Sequence, residues 1–284
     1  MRELFQVWRN TRMIVLTAIS AAAYVAVLVP FKGFILIPGL TEVRPGAALP
    51  VVLSFLFGPA AAWGAGFGNV IADTLGGMLT PGSLFGFIGN FLYGYLPYAL
   101  WRAFMGHAHP TRSGVKGWLV FALILVVNSL TIGSVIGWGV DLLRLAPFAA
   151  LGLIIAVNNL LASAAIATLL LSLLYGRVRD WGLLYYEILE EPPAEPAHTL
   201  DAPAPDAPAL AGAPALRRRV AMVGAVLCIA GAGLAFFSGL WISGEALHAG
   251  YGAAGFAGTA KGALAVTVGM LPGLLMLLVG AALL

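Results

Sequence analysis

The sequence predicts an all-α integral membrane protein: six membrane spans in one bundle, followed by two further transmembrane helices. Three observations carry this. Charged residues make up 10% of the 284-residue chain and hydrophobic residues 61%, where a soluble domain carries about 25% charge. The mean hydropathy is +0.96, and the apolar residues come in runs long enough to cross a bilayer. The fifteen basic residues gather at the ends of those runs. The basic balance therefore reflects topology, and no nucleic-acid partner is expected. A lone cysteine, Cys228, excludes an internal disulfide and paired-cysteine metal sites.

Crossing the hydrocarbon core takes about 20 apolar residues. Span one runs from Met13 to Val29, ending at Pro30, and is too long and too poorly followed by a small-residue site to be a cleaved signal. Span two covers Ala47 to Phe57 and is short; span three follows Gly58-Pro59 and runs to Leu75. Gly58-Pro59 reads either as a tight turn or as a kink in one helix. A single helix over 47–75 would be about 43 Å long, too long for one upright crossing, so two spans are expected. Span four is Leu84 to Phe104, span five Gly117 to Val140, span six Pro147 to Tyr175, span seven Val220 to Ile242 and span eight Gly262 to Leu284.

Charge supports the count. With the N-terminus inside, the segments at Arg2–Arg12, Arg102–Lys116, Arg177–Arg179 and Arg217–Arg219 hold eleven basic residues inside, against Lys32, Arg44, Arg144 and Lys261 outside. Merging spans two and three would put Arg102–Lys116 outside and spoil the bias. The expectation is a multi-pass protein of the cytoplasmic membrane with both termini inside. Residues 187–216 hold six of the twelve acidic residues with repeated Ala-Pro. Such a stretch cannot bury a core and reads as a disordered, partly polyproline linker. It separates a six-span unit, residues 1–186, from a two-span tail, 217–284.

Polar side chains inside a membrane are costly and mark function by default. Asn69, Asp73, Asn90, Asn128, Asn158 and Asn159 lie in spans three to six. Asn69 and Asp73, four residues apart, share a helix face. With the orientation above, the set lies between the midplane and the outer surface, which suggests a pocket open to the outside. The alternative is hydrogen-bonding glue between helices. On the same side emerges the loop TEVRPG, where Glu42 and Arg44 offer an acceptor and planar donors for a small ligand; a plain surface ion pair is the alternative. GMLTPGS at 77–83 is a second outer turn. Ala18, Ala22 and Ala26 form a smooth strip on span one, suited to close approach of another helix or to packing within the bundle.

Enzyme chemistry is not indicated. The four histidines, His107, His109, His198 and His248, lie in loops or the linker, leaving no intramembrane histidine to activate a serine. No HExxH, no Gly-rich phosphate loop with lysine and no intramembrane acidic cluster is present. No metal and no cofactor are expected.

Residues 1–185 resemble the substrate-binding S component of energy-coupling factor (ECF) transporters for vitamins and other micronutrients. The likeness rests on the alanine strip, on EVRPG before LPVVLSFLFGPAAAWGAGFGNVIAD, on LTPGSLFGFIGNFLYGYLPYALW from Leu79 to Trp101, and on six spans with cytoplasmic ends. The resemblance implies an S-component-like six-helix bundle that takes a small water-soluble compound from outside. Ala18, Ala22 and Ala26 would dock on a transmembrane coupling subunit joined to two ATPase subunits, so that ATP is used by the partners alone. Glu42 and Arg44 would sit on a lid, with Asn69, Asp73, Asn90, Asn128, Asn158 and Asn159 as wall contacts. The loaded component would topple in the membrane to deliver its cargo. The two-span tail departs from the family. Two rival readings remain: a stand-alone secondary transporter or channel driven through Asp73, for which no inverted repeat is found, and a structural membrane partner without ligand.

Overall fold

A computed structural model describes residues 2–31, 35–37, 41–42, 45–189, 215–248 and 260–284. The protein is a helical membrane protein. A short α1 (Arg2–Gln6) leads into α2 (Thr11–Phe31). A small antiparallel ladder, β1 (Ile35–Ile37) with β2 (Thr41–Glu42), pairs Ile35 with Glu42. Then follow α3 (Ala48–Phe57), α4 (Pro59–Leu75), α5 (Gly82–Met105) and α6 (Gly114–Leu142). The last span of the bundle is continuous from α7 (Phe148–Ala162) through a π-helical segment (Ser163–Ala167) into α8 (Thr168–Asp180); a turn leads to α9 (Tyr185–Leu189). The tail is a helical hairpin of α10 (Ala215–His248) and α11 (Ala260–Leu283). Among the described residues, five stretches are long and apolar enough to cross a membrane: Thr11–Phe31, Gly114–Leu142, Phe148–Leu189, Leu216–Gly244 and Leu264–Leu283. Of the expected linker, residues 190–214 lie outside the described residues, and Leu189 is still helical.

Gly58 reverses the chain. It has φ +51° and its N–H bonds to the Ser54 carbonyl at 2.9 Å, closing α3, while Pro59 starts α4 at the position where a missing N–H costs nothing. The neighbours fix the directions. At the start of α3, Gly46 lies against Val27 and Leu28 near the end of α2. At its finish, a Cβ on Gly58 would lie 2.5 Å from the Tyr185 ring of α9. In α4, Gly64 faces Thr17 and Ser20, and Gly68 faces Ala21 and Tyr24, so α4 runs parallel to α2 and opposite to α3. Spans two and three are thus separate helices.

Pro97, inside α5, shapes the centre. A proline removes one donor from the helix and leaves the carbonyl four residues earlier unpaired. That carbonyl belongs to Tyr93, and the Asn128 Nδ2 of α6 donates to it at 2.9 Å. The next amide, Tyr98 N–H, donates to Ser54 Oγ of α3 at 3.1 Å. Two polar side chains from neighbouring helices therefore repair the kink, as a bilayer interior requires. On the far side of α6, Gly133 and Gly137 admit Gly152 of α7, where an added Cβ would meet backbone at 2.8 and 2.9 Å.

The hairpin does not stand apart. It packs on α5, α6 and α7, whereas α2 packs on α3 and α4. Glycines close it: Gly224 against Gly280, Gly231 against Gly273 and Leu277, and Gly280 against Cys228. Side-chain hydrogen bonds fasten it at several depths. Tyr95 OH donates to the Ala281 carbonyl at 3.0 Å, Trp138 Nε1 to the Thr267 carbonyl at 3.2 Å, and the Ala149 N–H to Ser243 Oγ at 3.0 Å.

Candidate functional site

The polar side chains form a chain of contacts through the half of the bundle remote from the arginine-rich loops. Asp73, in the last turn of α4, accepts two hydrogen bonds on Oδ2: from Asn69 Nδ2 one turn below, at 3.2 Å, and from Ser83 Oγ at the start of α5, at 2.9 Å. Ser83 Oγ in turn accepts the Thr80 N–H at 3.2 Å, closing the α4–α5 loop. The Asn69 carbonyl oxygen is buried with no partner. Gly86 makes the approach possible, since a Cβ there would lie 2.7 Å from Asn69 Nδ2.

One turn deeper, Asn90 donates from Nδ2 to the Gly86 carbonyl at 2.8 Å and accepts the Tyr24 hydroxyl at 2.7 Å. This ties α2 to α5. Deeper again, Tyr93 OH meets Ser163 Oγ at 2.6 Å and donates to the Asn159 carbonyl at 3.3 Å. These contacts fall where the α-helix passes into its π segment, the place where backbone carbonyls leave their usual partners. Asn128 is held from below by its bond to the Tyr93 carbonyl, which leaves its own Oδ1 buried and unpartnered; Ser129 Oγ beside it is likewise unpartnered.

Each expected site residue can now be placed. Asn69, Asp73, Asn90, Asn128 and Asn159 are all buried and share the α2–α4–α5–α6–α7 interior. Asn159 spends its amide on the Ile155 carbonyl of its own helix, at 2.8 Å. Asn158 is half-buried and sits one residue, about 100°, around the helix from it. Glu42 lies in β2, where its backbone pairs with Ile35; Arg44 lies outside the described residues. Ala18, Ala22 and Ala26 are all exposed, while Met13, Leu16, Thr17, Ser20, Ala21, Tyr24 and Leu28 are buried. The strip therefore faces away from the bundle.

Tyr24, Ser83, Tyr93, Ser129 and Ser163 belong to the same network and were not singled out from the sequence. A tyrosine or serine every three or four residues from an asparagine was the available signal: Tyr93 follows Asn90 by three, and Ser163 follows Asn159 by four. Asp141 was also missed. It is fully buried at the end of α6, where Oδ2 accepts the Phe148 N–H at 2.7 Å and caps α7 across the loop. Chemically, the interior offers fixed carbonyl acceptors from Asn69 and Asn128, hydroxyls from serine and tyrosine, and the carboxylates of Asp73 and Asp141. Among the described residues no cluster of three metal-ligating side chains occurs. This donor set suits a small neutral or singly cationic molecule rich in N–H groups.

A family model described as QueT transporter matches residues 14–176, more than half of the chain. The chain belongs to the QueT transporter family. The match takes in α2 to the greater part of α8, and so contains the whole polar network and the alanine strip. The hairpin lies beyond it. No curated protein and no solved structure matches the chain. Membership in the QueT family makes this a multi-pass membrane transport protein, the S component of a micronutrient transporter, and points away from an enzyme.

Proposed function

We propose that the protein captures a queuosine precursor, a modified guanine base, from outside the cell and delivers it inward as the S component of an ECF importer. The observation that carries this reading is the pair of buried, unpartnered acceptors, Asn69 Oδ1 and Asn128 Oδ1. A guanine-type base presents ring and exocyclic N–H donors, and each of these acceptors, at its own depth, can take one. Asp73 supplies negative charge for a cationic substituent. Glu42 and Arg44 would close over the mouth from the loop before α3. The cytoplasmic membrane, with termini inside, fits the clustering of basic residues at one end of the bundle.

Energy would come from partners. The exposed Ala18, Ala22 and Ala26 give α2 a smooth outer face on which a coupling subunit with two ATPase subunits would dock. The test is twofold. Mass spectrometry of the gently purified protein should find a deazaguanine base bound one to one. Co-purification with a coupling module should be lost in Ala22→Trp while the base stays bound. A protein that carries no base and assembles normally with tryptophan at 22 would overturn the proposal. Proton-driven uptake by the purified chain alone would instead favour the stand-alone transporter using Asp73.

A further inference from the structure

At the arginine-rich end, a cavity of about 410 Å³ opens where three helix ends meet: the last turns of α5 and α11 and the first turn of α10. Its walls are apolar, from Ala99, Ala103, Val220, Ala221 and Leu283. Two arginines line it. Arg102 is held rigidly by an ion pair with Glu3 of α1 and by a bond from Nη2 to the Leu284 carbonyl at 3.4 Å. Arg217 opens α10 and is exposed, with Arg218 and Arg219 directly after it. Glu3 faces Arg102, whose Nη2 also reaches the Leu284 main-chain oxygen; Arg217, Arg218 and Arg219 bring three further positive charges to the seam.

We infer that this seam between α5 and the hairpin seats the headgroup of an anionic phospholipid. The argument is one of level and chemistry. Arg102 and Arg217 stand at helix ends, where the hydrocarbon core gives way to headgroups, and the apolar walls run from them toward the bilayer interior. A phosphodiester can lie between the two guanidiniums and the first-turn N–H groups of α10, with its acyl chain along Val220 and Leu283. Basic pockets between transmembrane helices bind anionic headgroups in this way. A free phosphate would satisfy the arginines but leave the apolar wall empty, so the lipid is the better fit. The seated lipid would bridge the bundle to the hairpin, the part of the chain outside the family match.

The inference uses the membrane placement proposed above but not which leaflet is cytoplasmic, because the test uses symmetric bilayers. The full chain is placed in nanodiscs of phosphatidylcholine with or without phosphatidylglycerol, and retained lipid is counted by native mass spectrometry. Wild type should hold one phosphatidylglycerol in preference to phosphatidylcholine by tenfold or more. Arg217→Ala should cut that preference at least fivefold, and Ala221→Trp, which fills the cavity, should abolish it. Base binding should be unchanged in both, which separates this result from misfolding and from failure of the transport proposal. Inorganic phosphate at millimolar concentration should not displace the lipid. Equal retention of the two lipids, full preference in Ala221→Trp, or displacement by phosphate would each overturn the inference.

Discussion

At the scale of single residues, the network separates asparagines that serve the fold from those with capacity to spare. Asn159 spends its amide on its own helix, whereas Asn69 and Asn128 keep a buried acceptor free. Replacing Asn69 by Leu should therefore weaken base binding by tenfold or more, about 1.4 kcal/mol, in an equilibrium binding assay. Asn159→Leu should change it less than threefold. His109 gives a second residue-scale outcome, in the loop between α5 and α6. Its ring is pushed down to about 4, first by burial and then by Arg112 and Arg179. Its Nδ1 accepts the Thr111 N–H at 3.2 Å, a bond that protonation would break. The unfolded histidine takes its proton near 6.5 and the folded one near 4. Between those values the unfolded state binds more protons, so stability should fall as pH drops from 6.5 to 4. His109→Gln should flatten that part of a thermal-shift profile.

At the scale of elements, the kink in α5 explains why Asn128 is where it is. The sequence marked Asn128 as a polar residue in a membrane span but gave no account of its donor end. The account is Pro97, which frees the Tyr93 carbonyl that Asn128 fills. The two should be energetically coupled. Asn128→Leu should cost about 1–2 kcal/mol in the natural chain, but markedly less in a Pro97→Ala background, where the backbone repairs itself; a double-mutant cycle by denaturant unfolding measures the difference. The helices themselves were legible because hydropathy and charge are local signals, and the Gly58 reversal followed from length and charge bias together. The polar network was half legible. Asparagines in apolar runs stand out alone, but Tyr24 and Tyr93 look like ordinary membrane aromatics until the fold brings them to Asn90 and Ser163, 66 and 70 residues away.

At the scale of the whole molecule, the tail was the least legible part. Its two helices were expected, but a linker rich in alanine and proline says nothing about where they pack. Tyr95, Trp138 and Ser243 tie them to α5, α6 and α7. Nothing in a list of apolar residues says that a tyrosine hydroxyl in span four will meet a carbonyl 186 residues later. The arrangement leaves the alanine face of α2 uncovered by the hairpin. Removing residues 190–284 should therefore lower the thermal midpoint, because buried donors on Tyr95 and Trp138 would meet lipid. It should leave assembly with a coupling module intact, as co-purification would register.

The π segment in the last span sets the phase of everything after it. Five residues, Ser163–Ala167, take a wider turn than their neighbours, which amounts to one residue inserted into an otherwise regular helix. Without it, α8 would be rotated by about 100°. Leu171, Tyr175 and Val178 now face the bundle; out of phase they would point elsewhere, and Tyr175 would lose its ring contact with His109. Deleting Ala165 should thus regularise the helix and leave Leu171, Tyr175 and Val178 facing the bundle, whereas inserting one residue after Thr168 should turn Tyr175 and Val178 away by about 100° and lower the thermal midpoint.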